Sequence, residues 1–268
     1  MDLAKMTVVC RIPGMDTVTV RQEIEYGASG GERLTMDVYG PPDVAEGERR
    51  PAVVVVVGYP DPGVQKRLGC RHKEMGSTVS WGRLMAASGL AAITYTNREP
   101  AADLDALLRY LRDNASSVGI DGNRIGLWAA SGNVPLALSA LMRDGWERPR
   151  CAVLCYGYTL DLEGSTAVAD AARMFGFVNP AAGKSADDLP RDVPLFIVRA
   201  GRDEIPRLNE SLDHFLAGAL ASNLPVSFVN HPDAPHSFDL FHDSETSRRI
   251  IREILAFLRF HLLGTASS

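Results

Sequence analysis

Five consecutive valines, Val53 to Val57, preceded by Pro51 and Ala52 and closed by Gly58, constrain the fold of this chain more than any other feature. An apolar run with no alternation leaves no face for solvent, and β-branched side chains suit a pleated strand, so the segment predicts a strand buried on both sides. Further short apolar runs follow at Leu90–Tyr95, Ile125–Ala130, Cys151–Tyr156, Pro194–Val198 and Val226–Val229. Helical stripes separate most of them: Leu104, Leu107, Leu108 and Leu111; Leu208, Leu212, Phe215, Leu216 and Ala219; Ile251, Ile254, Leu255, Leu258 and Leu262. Strands alternating with helices predict an α/β fold with a mostly parallel central sheet and helices on both faces. Ahead of it, the alternating stretch Val18–Ile24 and the run Leu34–Val38, joined by glycines, predict an antiparallel hairpin.

The 268 residues contain no repeat, low-complexity tract or linker, so a single domain spanning 1–268 is expected. With 46% apolar and 23% charged residues the chain can bury a sizeable core. A formal charge of −5 and the lack of a basic run argue against nucleic acid as a partner. The first residues, Met1-Asp2-Leu3-Ala4-Lys5-Met6, lack the apolar core of a signal peptide, and no apolar run is long enough to span a bilayer. A soluble cytoplasmic protein without a membrane partner is therefore expected. Cys10, Cys70, Cys151 and Cys155 have neither metal-site spacing nor the density of a disulfide scaffold, which predicts free thiols.

Two segments are longer than plain connections, 59–80 and 157–192, and both leave the expected carboxyl ends of strands, where open α/β sheets bind ligands. The second predicts a short lid. Its Met174, Phe175, Phe177 and Val178 read either as packing of a short helix or as an apolar cover over a pocket, with Met174, Phe175 and Phe177 the candidate substrate contacts. In the first, Lys73, Glu74 and Trp81 are candidates for an opposite wall, against the plainer readings of a solvated ion pair and a core aromatic.

Ser131 ends the run Ile125–Ala130 and opens the helix-like stretch that continues through Val134, Pro135 and Leu136, so it stands where a buried strand turns sharply into a helix. That is the setting of a nucleophile elbow. The spelling Gly-x-Ser-x-Gly falls instead at Gly27-Ala28-Ser29-Gly30-Gly31, inside the expected hairpin, where a serine meets neither base nor oxyanion site. A serine hydroxyl needs a positioned imidazole, and the imidazole needs a carboxylate to fix its tautomer. Asp203 follows the run ending at Val198, and His236 follows the run ending at Val229, giving the order Ser, Asp, His. Glu204 and Asp161 are the competing acids and His231 the competing base; Asp233 and Asp239 read as solvated loop charges. His231, His236 and His242 match no named zinc spacing, so no metal is expected.

With Arg124 to Ser131, Gly201-Arg202-Asp203 and His236-Ser237-Phe238 in this order, the chain resembles the α/β-hydrolase superfamily, and within it dienelactone-hydrolase-like proteins and small serine carboxylesterases. The resemblance implies Ser131 as nucleophile, His236 as general base and Asp203 as orienting acid, with no cofactor. Three departures stand out. Ala129 and Asn133 occupy positions where the family usually has glycine, the nucleophile is serine where dienelactone hydrolases use cysteine, and no His-Gly-Gly follows the valine strand. Of the two N–H donors an oxyanion hole requires, one is assigned to Gly132 and the other to Tyr59, with Gly58 behind it, since Pro60 has no N–H. The implied reaction is hydrolysis of small, short-acyl esters through an acyl-enzyme. Lactone hydrolysis or a non-catalytic, small-molecule-binding version of the fold is the alternative.

Overall fold

The computed structural model describes residues 2–41, 47–143 and 148–264. Among the described residues eight strands form one sheet: β1 (Thr19–Ser29), β2 (Glu32–Gly40), β3 (Arg50–Val55), β4 (Ala91–Tyr95), β5 (Ile120–Ala130), β6 (Ala152–Cys155), β7 (Leu195–Ala200) and β8 (Val226–His231). Their order is β1-β2-β4-β3-β5-β6-β7-β8. β1 pairs antiparallel with β2, and β2 antiparallel with β4, while every pairing from β4 across to β8 is parallel. The valine strand sits in the middle, hydrogen-bonded to β4 on one side and β5 on the other.

The helices are α1 (Asp61–Leu68), α2 (Gly76–Ala87), α3 (Pro100–Asp113), α4 (Ala115–Val118), α5 (Val134–Leu141), α6 (Ala167–Phe175), α7 (Leu208–Ala221), α8 (Phe238–Phe241) and α9 (Glu245–Leu263). They cover both faces, and the two-residue period of a strand divides the valines between two cores. Ala52, Val54 and Val56 face a layer that contains Leu104, Leu107 and Leu108 of α3 and Leu138 of α5. Val53 and Val55 face the other, with Trp81 and Leu84 of α2 and Ile251 and Leu258 of α9. Full burial on both sides is what an unbroken valine run requires, and all five are at most 1% exposed.

The two long segments differ from plain loops. Residues 59–80 hold α1, a turn of 3-10 helix at His72–Glu74 and the start of α2, while 157–192 holds α6 and a 3-10 turn at Ala186–Asp188. β8 departs from its apolar reading: it is an edge strand of the sheet, and its Ser227 and Phe228 are exposed. Among the described residues no helix is long and apolar enough to cross a membrane. All four cysteines carry free thiols, three of them buried.

Candidate active site

The sheet's parallel half delivers three loops to one end. β5 ends at Ala130 and the chain turns through Ser131, whose φ of 57° lies in the left-handed region that costs a non-glycine residue. A 3-10 turn, Ser131–Asn133, then leads into α5, with Pro135 in its first turn where a missing N–H is harmless. The loop after β7 brings Asp203, and the loop after β8 brings His236. His236 Nε2 lies 3.0 Å from Ser131 Oγ, and His236 Nδ1 lies 2.6 Å from Asp203 Oδ2. The Asp203 side chain is fully buried and its other oxygen accepts the Ile205 N–H at 3.0 Å, so the carboxylate is fixed in one orientation. The competing residues lie elsewhere. Glu204 is exposed, and His231 is buried with Nε2 3.1 Å from Ser247 Oγ. Asp161 accepts the Val168 and Ala169 N–H groups at 2.8 and 2.9 Å and so caps α6. Ser29 lies at the end of β1, in the hairpin.

The elbow handles its crowding in an unexpected way. Asn133 is 7% exposed, and its Oδ1 accepts the N–H of Gly58 at 2.8 Å, tying the elbow to the loop after β3. Glycine is needed on the other side of that contact: a Cβ on Gly58 would stand 2.9 Å from the Gly132 carbonyl oxygen. The Gly58 N–H is thereby engaged by the Asn133 side chain. Tyr59 brings its side chain to the elbow: a Cβ on Gly132 would run into the Tyr59 hydroxyl and the Phe177 ring, so Gly132 must be glycine for both to lie against it. Burial pushes the Tyr59 phenol up, while Arg67 and the Ser131 side chain, which it reaches, oppose that.

Phe177 is 4% exposed and forms the centre of an aromatic cover, edge-on to Tyr59 at 5.8 Å and stacked on Tyr158 at 5.8 Å. Phe175 is partly buried in the same cluster, with Val168, Ala171 and Leu208. The Val178 N–H donates to the Gly58 carbonyl at 2.9 Å and pins the cover to the loop after β3. Met174, by contrast, is 72% exposed and points away from this cluster. On the opposite side, Trp81 takes the plainer of its two readings, a core aromatic, and not that of a substrate contact. Trp81 is 2% exposed, packed at a tilt of 40° against Trp128 with ring centroids 4.6 Å apart, and donates its N–H to Asp239 at 2.8 Å, so it belongs to the core beneath the site. Lys73 is 1% exposed and bonds Glu23 and Asp37, both at 2.6 Å, linking the hairpin to the 59–80 segment in place of a solvated pair with Glu74. Asp239 is the clearest correction: it is 3% exposed and hydrogen-bonded, where the sequence suggested a solvated loop charge. Sequence reasoning also passed over Tyr156, which follows β6 with a φ of 35° and sets its ring 5.1 Å from that of His236. Its one signal was its place at the end of an apolar strand.

No family model matches the sequence, and no curated protein matches it. Solved structures do. A thermophilic esterase from the planctomycete Thermogutta terrifontis is 18% identical, with a TM-score of 0.66 over 96% of this chain and 97% of its own. An α/β-hydrolase enzyme from the metagenome of Lake Arreo is 21% identical, with a TM-score of 0.68 over 94% and 87%. Vibralactone cyclase is 17% identical, with a TM-score of 0.69 over 96% and 83%. Strand order, the antiparallel hairpin and these likenesses together show the α/β-hydrolase fold, as the sequence resemblance implied.

Proposed function

We propose that this chain is a serine hydrolase that cleaves small, short-acyl esters through an acyl-enzyme, with Ser131, His236 and Asp203 as its triad. The observation that carries the reading is the continuous contact from Ser131 Oγ to His236 Nε2 at 3.0 Å and from His236 Nδ1 to Asp203 Oδ2 at 2.6 Å. A hydroxyl, an imidazole and a buried carboxylate in that line can do one thing that isolated residues cannot: transfer the hydroxyl proton as the oxygen attacks.

In the proposed sequence Ser131 Oγ bonds to the ester carbonyl carbon as His236 takes its proton. Asp203 holds the imidazole with Nδ1 protonated and balances the imidazolium. The N–H groups of Gly132 and Tyr59 donate to the tetrahedral oxyanion. His236 then returns the proton to the leaving alkoxide, and the acyl-enzyme forms. A water molecule attacks that ester with His236 again as base, releasing the acid and Ser131. The Phe177 ring, which lies against Tyr59 and Gly132 next to Ser131, supports a preference for short acyl chains. Two of the similar structures are named as an esterase and a cyclase, so the fold alone leaves the reaction open and the site carries the assignment.

A panel of nitrophenyl esters of increasing acyl length, run beside a dienelactone and an acetylated sugar, tests the substrate class. A fluorophosphonate tests the nucleophile. Stoichiometric labelling that disappears in Ser131→Ala supports the enzyme; folded protein that takes no label sinks it in favour of a binding role.

A further inference from the structure

Beneath the candidate triad lies a buried carboxylate that the reaction just described does not use. Asp239, on α8, is 3% exposed. Its Oδ1 accepts the Tyr156 hydroxyl at 2.6 Å and its Oδ2 accepts the Trp81 indole N–H at 2.8 Å. Both oxygens are thus acceptors for neutral donors, an arrangement that suits the ionised form. Burial alone works the other way and raises the Asp239 pKa, with the Tyr156 and Trp81 hydrogen bonds opposing it.

Each partner of Asp239 leads to the reacting groups. Tyr156 sets its ring at 74° to the His236 ring, with centroids 5.1 Å apart. Trp81 packs at a tilt against Trp128 of β5, the strand that ends at the Ser131 elbow. The backbone is unusual at both ends of the contact: Tyr156 has a φ of 35° and Ser237, next to His236, a φ of 53°. Such conformations persist only where their surroundings hold them, and here the Asp239 hydrogen bond fixes the Tyr156 hydroxyl while Phe238 packs edge-on against the ring. The groups that face His236 and Asp239 among the described residues are Ser131, Asp203, Tyr156, Ser237, Cys155 and Trp81. None of these carries a positive charge that would cancel Asp239.

We propose that Asp239 is a positioning residue for the general base: it anchors Tyr156, whose ring holds the His236 imidazole in line with Ser131 and Asp203, and it places a second negative charge behind the imidazolium formed during attack. The proposal rests on the triad reading above. A carboxylate that only stapled the fold would change melting temperature and leave the pH profile of catalysis alone. One that acts on His236 changes both the rate and the profile, since a nearby anion favours the imidazolium.

The test is nitrophenyl acetate hydrolysis by full-length Asp239→Asn and Tyr156→Phe, with Ser131→Ala and His236→Ala in parallel and circular dichroism on each. Asp239→Asn is expected to lower kcat about 10-fold to 100-fold, the size of loss that misplacing a reacting group produces, with KM little changed. The acid limb of its kcat/KM profile moves to lower pH. Tyr156→Phe, which removes one oxygen and keeps the ring, lowers kcat with a smaller displacement of the limb. If Asp239→Asn fails to fold, Tyr156→Phe decides: a wild-type kcat in that variant overturns the proposal. If Ser131→Ala and His236→Ala still hydrolyse the ester, the triad reading falls and takes the proposal with it. If those two are inactive while Asp239→Asn and Tyr156→Phe keep the wild-type rate and profile, only the positioning role is overturned.

Discussion

Asp203 and Asp161 show how little residue type says about role. Both follow strands of the parallel half, yet Asp203 meets His236 Nδ1 at 2.6 Å while Asp161 spends both oxygens on the first turn of α6. Asp203→Asn should leave the fold intact and lower kcat about 10⁴-fold, because an amide stabilises the wrong imidazole tautomer. Asp161→Asn should keep kcat near wild type in the same assay and lower the melting temperature instead. Asn133 has a structural weight of its own. Asn133→Ala removes the acceptor of the buried Gly58 N–H and should cost roughly 1–3 kcal/mol in a denaturant titration, the penalty of an unsatisfied buried donor. The loop it frees also carries Tyr59, so fluorophosphonate labelling should slow in the same variant.

At the scale of elements, the segment 157–192 is more tightly docked than the word lid suggests. The hydrogen bond from Val178 to Gly58 and the packing of Phe177 on Tyr59 and Tyr158 fix it to the body of the fold at the reacting end of the sheet. Phe177→Ala removes the ring that lies against Gly132, opening space where the acyl chain is proposed to sit. The ratio of hexanoate to acetate hydrolysis should rise at least several-fold in that variant, as expected when a pocket gains room for methylenes worth about 1–3 kcal/mol. An unchanged ratio would place the acyl chain elsewhere. Met174, exposed on α6, serves as the control, since its replacement by Ala should leave the ratio unaltered.

For the whole molecule, the join between the N-terminal hairpin and the rest of the sheet is electrostatic as well as apolar. Lys73 reaches Glu23 on β1 and Asp37 on β2, and Arg71 reaches Glu23 at 2.9 Å. The Lys73 hydrogen bond is the main cause that holds Glu23 down to about 2 from its ordinary 4.5. Next to Lys73, burial pulls the His72 imidazole down from 6.5 to about 4. Both folded values lie below the unfolded ones, so the unfolded chain binds more protons across each gap and stability falls on acidification. The His72 contribution is complete above about 6.5 and is lost as pH falls to about 4; that of Glu23 is complete above about 4.5 and is lost towards about 2. Thermal melts should therefore show His72→Asn converging on wild type as pH drops from 7 to 4, and Lys73→Met flattening the remaining decline below about 4.5. Melting curves that stay parallel across these ranges would remove both groups from the acid response.

What was readable from the chain and what was not divide along one physical line. Apolar periodicity is local, so the valine strand, the helices at Leu104–Leu111 and Ile251–Leu262, and the hairpin could all be predicted from spacing. The order of Ser131, Asp203 and His236 was equally legible, because parallel strands in this fold deliver their loops to one end in a set sequence. Buried polar contacts leave no such trace. Asn133 meets Gly58 across 75 residues, Tyr156 meets Asp239 across 83, and Trp81 meets Asp239 across 158. A polar residue looks solvated in sequence until a distant partner is brought to it, which is why Asp239 and Lys73 read as solvated charges. The sequence by itself determined the layered sheet and three residues in a recognisable order, since both follow from local pattern and strand sequence. Only the tertiary structure decided that Asn133 engages the Gly58 N–H, that Phe177 lies against Gly132 and that Tyr156 and Trp81 meet Asp239, because each contact joins residues far apart in sequence that meet only once the sheet has formed.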